Sequence, residues 1–101
     1  MKIASTPIGA AAVLTAIECV GDTAAKLNYP AVTYLTYNAL AYVLNDALPT
    51  MSMALTNSYW NAMTNVTHLA IGWYLGENLS TAQMTGIVLV AVGVYLMDGG
   101  N

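Results

Sequence analysis

Charge is the scarcest property of this 101-residue chain: two Lys+Arg stand against five Asp+Glu, a formal net charge of −3, and only 7% of residues are charged. Soluble domains carry about a quarter charged residues. A soluble helical bundle this small exposes much of its surface and needs a solvated polar face on every helix, which so few charges cannot provide. The shortage of basic residues also excludes nucleic acid as a partner, because no patch exists to neutralise phosphates. Cysteine is equally scarce. The single Cys19 cannot found a disulfide framework and reads as a small buried packing residue. Disorder is excluded from the other direction, since it needs low hydrophobicity, whereas 57% of these residues are hydrophobic.

What is present is apolar sequence in helix-sized pieces. A spanning helix needs roughly 20 mostly apolar residues, so four of them would take about 80. Four such segments are predicted over 8–25, 31–48, 51–75 and 79–97, separated by the turn signals Asn28-Tyr29-Pro30, Leu48-Pro49-Thr50 and Gly76-Glu77-Asn78. The expected fold is therefore all-α: an integral membrane protein with one four-helix transmembrane domain over 1–101. Lys2 before an Ala-rich run also fits a signal peptide, a reading weakened by the lone basic residue and by the lack of a soluble mature domain behind it. The mean hydropathy of +0.58 is modest for a bilayer protein. Polar residues placed inside the helices account for it.

Those polar residues fall in stripes at helical spacing. Helix 1 groups Glu18, Asp22 and Lys26 beside Ala11, Gly21 and Ala25, and helix 2 stacks Tyr34, Asn38, Ala41 and Asn45. Helix 3 aligns Asn57, Asn61, Asn65 and His68, flanked by Trp60 and Thr64, with Val66 and Trp73 on the opposite side. Helix 4 has no Asp, Glu, Lys, Arg or His between Leu79 and Met97. Lipid-facing Asn or carboxylate is costly, so such stripes turn toward protein or water, and helices 1 to 3 are expected to surround a hydrated chamber. The competing reading makes the Asn residues helix-to-helix glue, which weighs most at Asn65 and His68. His68 could carry a proton, but a lone His is more often a bonded packing residue, and without companion ligands it is a poor metal site.

Glu18 is the sharpest single residue. A carboxylate midway along a spanning helix is disfavoured as an anion, so it is expected to hold a proton that it can exchange for a cation. Asp22, one turn on, would couple to it. An ion pair between Asp22 and Lys26 at i, i+4 is expected to compensate Asp22, leaving Glu18 as the one loose acid. In helix 4, Gly86, Val90 and Gly93 lie on one face and read as a helix–helix contact, expected between subunits. Lys2 and Lys26 flank opposite ends of helix 1 and cancel as topology signals, which would let the chain insert both ways and associate as an antiparallel pair of copies.

These residues resemble the small multidrug resistance transporters, within the drug/metabolite transporter superfamily. Glu18, Gly21 and Lys26 in the stretch 17–26 are similar to the family's first-helix pattern of Glu, Gly three later and Lys eight later. Gly76-Glu77-Asn78-Leu79 followed by Gln83, Gly86 and Gly93-Val94 resembles the last loop and last helix of the superfamily, and the pair Tyr59-Trp60 falls where the family places binding-site aromatics. The resemblance implies an antiparallel homodimer, with the heptad-spaced glycines at the dimer contact and Glu18 binding either protons or a cationic substrate. The short connection between helices 1 and 2, the Asn-rich helix 3 and the second acid Asp22 depart from the family. An Asn-lined site favours a small hydrogen-bonding cation over a large aromatic one.

The expected activity is proton-coupled export of small organic cations of guanidinium, amine or quaternary ammonium type. Glu18 is the shared proton and cation site, Trp60 an aromatic wall, Tyr59 a weaker candidate on helical phase, and Asn57, Asn61, Asn38 and Tyr37 polar lining. Asp22 and Lys26 are auxiliary charges. The expected partners are the bilayer, protons, the cation and a second copy of the chain, in a cell or inner membrane, with no metal or other cofactor. A non-transporting assembly subunit and a cation channel are the alternatives. An enzyme is not expected, because no spacing assembles a nucleophile, base and orienting group.

Overall fold

The computed structural model describes residues 4–99 and is all-helical. Its four α-helices are α1 (Pro7–Lys26), α2 (Pro30–Ala47), α3 (Met53–Tyr74) and α4 (Thr81–Gly99), with a 3-10 turn over Leu48–Thr50 before α3. Every helix end falls within two residues of the segments expected from the sequence. Two helices, Pro7–Lys26 and Thr81–Gly99, are long and apolar enough to cross a membrane. At 18 and 22 residues α2 and α3 also have the length, but Asn, Thr and Tyr lower their hydropathy.

The boundaries have local chemical causes. Thr6 caps α1 by accepting from the Gly9 amide at 3.1 Å, with Pro7 in the first turn, and Ser52 caps α3 by accepting from the Leu55 amide at 3.1 Å. Both α1 and α3 end in the same way. Asn28 (φ 65°) and Gly76 (φ 92°) take the left-handed conformation, and the next amides, of Tyr29 and Glu77, reach back to the Ala24 and Gly72 carbonyls at 2.7 and 2.9 Å. Ahead of α4, the Ser80 amide donates to Gln83 Oε1 at 2.8 Å while the Gln83 amide donates to Ser80 Oγ at 3.1 Å, a reciprocal capping box.

The helices lie side by side in a single layer. Among the described residues, α1 packs against both α2 and α3, and α4 packs chiefly against α3, so the spatial order is α2, α1, α3, α4. The extents, 38 × 34 × 13 Å, match four helices abreast at 8–10 Å spacing. Two contacts fix the relative direction of α1 and α3: Glu18 meets Thr64 and Asp22 meets His68, both 46 residues apart. A constant offset means parallel helices, as up-down topology with short connections requires. α2 and α3 lie on opposite flanks of α1, so helices 1 to 3 of a single copy do not close around a chamber by themselves.

The small apolar cluster Leu14, Leu40 and Val43 sits where α1 meets α2, with Val13, Ile17, Leu44 and Trp60 packed around it. Gly21 allows the closest approach. A Cβ there would collide with Thr36 Oγ1 and lie 3.0 Å from Tyr37 Cε2. Deleting the Trp60 indole with Trp60→Ala is expected to cost about 3 kcal/mol, the low end for an aromatic because the ring is half-buried. A thermal melt in detergent measures it. An unchanged midpoint would mean that the ring does not support the cluster.

Candidate functional site

The polar centre of the layer is built on two turns of α1. Glu18 is eight residues from Lys26, roughly 12 Å along the axis at 1.5 Å per residue, and Asp22 lies one turn closer to that end. The Thr64 hydroxyl donates to Glu18 Oε1 at 3.0 Å, tying α1 to α3. Thr64 is buried and Glu18 half-buried. Trp60 stands one turn before Thr64 on α3, its ring packed against the Leu14–Leu40–Val43 cluster and its indole nitrogen buried without a hydrogen-bond partner.

Asp22 has a partner on each flank. The Tyr37 hydroxyl of α2 donates to Asp22 Oδ1, and His68 Nε2 of α3 lies 2.9 Å from Asp22 Oδ2. The second contact is at ion-pair distance without the alignment of a hydrogen bond. Asp22 therefore joins three helices. The expected ion pair between Asp22 and Lys26 is not formed. Lys26 Nζ instead meets Glu77 Oε2 at 3.1 Å, because the chain reversal after α3 places Glu77 beside the end of α1. Asp22, Lys26, His68 and Glu77 together line a cleft of about 240 Å³ at this end of the layer. The Lys26–Glu77 pair is exposed on both sides, so Glu77→Gln is expected to change stability by less than about 1 kcal/mol, and by less still at high salt. Melting curves at low and high ionic strength check this.

The remaining candidates spread along one face of the layer or leave it. Asn57 lies on the same side of α3 as Thr64, the partner of Glu18, but its amide donates to the Met53 carbonyl of its own helix at 3.0 Å. Asn61 lines the groove between α3 and α4 together with Asn65, Val90 and Gly93. Gly86 and Val90 line the next groove beside Asn65 and His68. A Cβ at Gly86 or Gly93 would meet nothing within 4 Å, so both are open to a further surface. Asn38 is exposed, and helical phase turns it away from the Leu40 contact with α1. Tyr59 points the other way, toward Asp98 at the end of α4. The structure thus brings Glu18, Trp60, Tyr37 and Asp22 together, leaves Asn57 and Asn61 at the margin, and separates Asn38 and Tyr59.

Thr64 gains weight that the sequence did not give it, and His68, which the sequence left between proton carrier and packing residue, lies against Asp22. Their signal was available as a spacing: Thr64 and His68 are four apart, as are Glu18 and Asp22, so two parallel helices can match both pairs at once. The opposite face of the layer is apolar, with Ala16, Val20, Val32 and Leu35 lining a groove between α1 and α2. In comparisons with known proteins, no family model, no curated protein and no solved structure matches the chain.

Proposed function

We propose that the chain is a four-span membrane protein that exports small organic cations in exchange for protons, working as an antiparallel homodimer. One observation carries this reading: Glu18, deep in an apolar helix, accepts a single hydrogen bond from a neutral hydroxyl and has no cationic partner among the described residues. A carboxylate in that setting binds a proton or a cation in competition. Trp60 beside it offers an aromatic wall to the cation. The small polar groups nearby suit a guanidinium or amine better than a large apolar ion.

The open layer supports the paired state. Its polar face is uncovered in one copy, and a second copy laid across it would enclose both Glu18 side chains near the midplane, with Gly86, Val90 and Gly93 at the contact. This is the arrangement that the resemblance to small multidrug resistance transporters implies. α4 has only Val94 buried, which equally suits a subunit that docks on another membrane protein without transporting anything.

The test is a transport screen on reconstituted protein, with labelled guanidiniums, amines and quaternary ammoniums offered across a pH gradient. Proton-driven flux of at least one class is expected, accompanied by a current only where more than one proton is exchanged per cation. Silence with all of them favours the assembly subunit, and single-channel currents without proton coupling favour a channel.

A further inference from the structure

Asp22, one turn beyond Glu18 on α1, holds contacts that reach toward the Lys26 end of the layer. Asp22 is a residue that a single-carboxylate exchanger does not need. It is a third exposed, and its two oxygens serve different neighbours, Oδ1 the Tyr37 hydroxyl and Oδ2 the His68 imidazole. Glu18 and Asp22 are one turn apart, with Cβ atoms about 5–6 Å from each other, within reach of one bridging water. His68 Nε2 is at transfer distance from Asp22 yet is not locked in a hydrogen bond, and its ring also borders the cleft where Lys26 and Glu77 meet water.

We propose that Asp22 and His68 form a proton relay between Glu18 and the aqueous cleft at the Lys26 end of the layer. The inference rests on the transport reading above. A proton on His68 passes from Nε2 to Asp22 Oδ2 and on to Glu18, while the imidazole recovers a proton from water through its other nitrogen. Cation release at Glu18 accompanies the arrival of the proton, and the reverse sequence discharges it. The ionisable groups facing the relay are Glu18, Cys19 and Lys26 on α1, Tyr37 on α2 and Glu77 after α3. α4 contributes only Gln83 and apolar residues to the His68 surroundings. Tyr37 keeps Asp22 aimed at His68 and is a positioning residue.

Two rates measured in the same proteoliposomes test the relay: uptake of labelled guanidinium driven by a pH gradient, and guanidinium self-exchange at equal pH, which moves no net proton. In His68→Gln and Asp22→Asn, driven uptake is expected to fall at least about tenfold while self-exchange is kept. Asp22→Glu, which retains an acid, is expected to recover much of the driven rate. The self-exchange arm reports correct folding at the same time. An equal fall in both rates would make these residues part of binding or packing and overturn the relay, as would variants that keep both rates. If the wild-type protein shows neither rate, the transport reading itself fails, a result distinct from a working transporter with insensitive variants.

Discussion

Glu18→Gln is expected to abolish proton-driven guanidinium uptake, to the level of protein-free vesicles, while leaving the oligomeric state in detergent unchanged. The substitution keeps the size of the side chain and its ability to accept from Thr64, whose hydroxyl approaches Oε1 at 3.0 Å. What it removes is the negative charge that a cation must find and the site where a proton competes for it. Self-exchange should disappear with it, since a neutral amide offers no charge to the cation. That separates Glu18 from His68 and Asp22, whose replacement spares self-exchange. Transport by Glu18→Gln at the wild-type rate would end the mechanism. A changed oligomeric state together with loss of transport would instead make Glu18 a structural residue.

Gly21→Leu is expected to have the largest effect on the fold. Gly21 is buried against α2, its carbonyl accepts from Thr33 Oγ1 at 3.4 Å, and any Cβ runs into Thr36 Oγ1 and the Tyr37 ring. Thr36 has little freedom to yield, because its hydroxyl is engaged with the Val32 and Thr33 carbonyls at 2.9 Å each. A leucine must push α2 away from α1, breaking the Tyr37 contact with Asp22 and opening the Leu14–Leu40–Val43 cluster. Overpacking of this kind costs about 1–3 kcal/mol for a few added methylenes and more where backbone blocks the way. Gly21→Ala should fall near the lower figure. Melting midpoints of both variants in one detergent check the order, and a Gly21→Leu protein as stable as wild type would show that the two helices are not held in contact at this point.

The sequence shows the helices plainly because their boundaries depend on local chemistry: Pro at first turns, Asn28 and Gly76 at left-handed positions, Thr6 and Ser52 at caps. Glu18 was equally legible, as an acid midway along an apolar helix. Contacts between helices were not. Periodicity places Asp22 and Lys26 as neighbours on α1, but it cannot say that Glu77 will arrive beside Lys26 or that His68 will arrive beside Asp22. Nor does a polar stripe reveal how much of its hydrogen bonding is spent at home. Asn45 donates to the Ala41 carbonyl and Asn57 to the Met53 carbonyl of their own helices, so their polarity calls for less water than the stripes suggested.

A layer one helix thick has no inside. Only a few side chains, such as Leu14 and Thr56, are fully buried, and most large apolar residues of α4 are exposed. In the proposed membrane setting, the surrounding hydrocarbon takes the role that a packed core takes in a water-soluble domain. If the helices span a bilayer as proposed, exchanging the lipid for one with shorter chains acts like mutating many core positions at once: a helix such as α4, with 19 residues, must tilt or locally thicken the bilayer to stay covered. Acyl-chain length then becomes an experimental variable as strong as a point substitution.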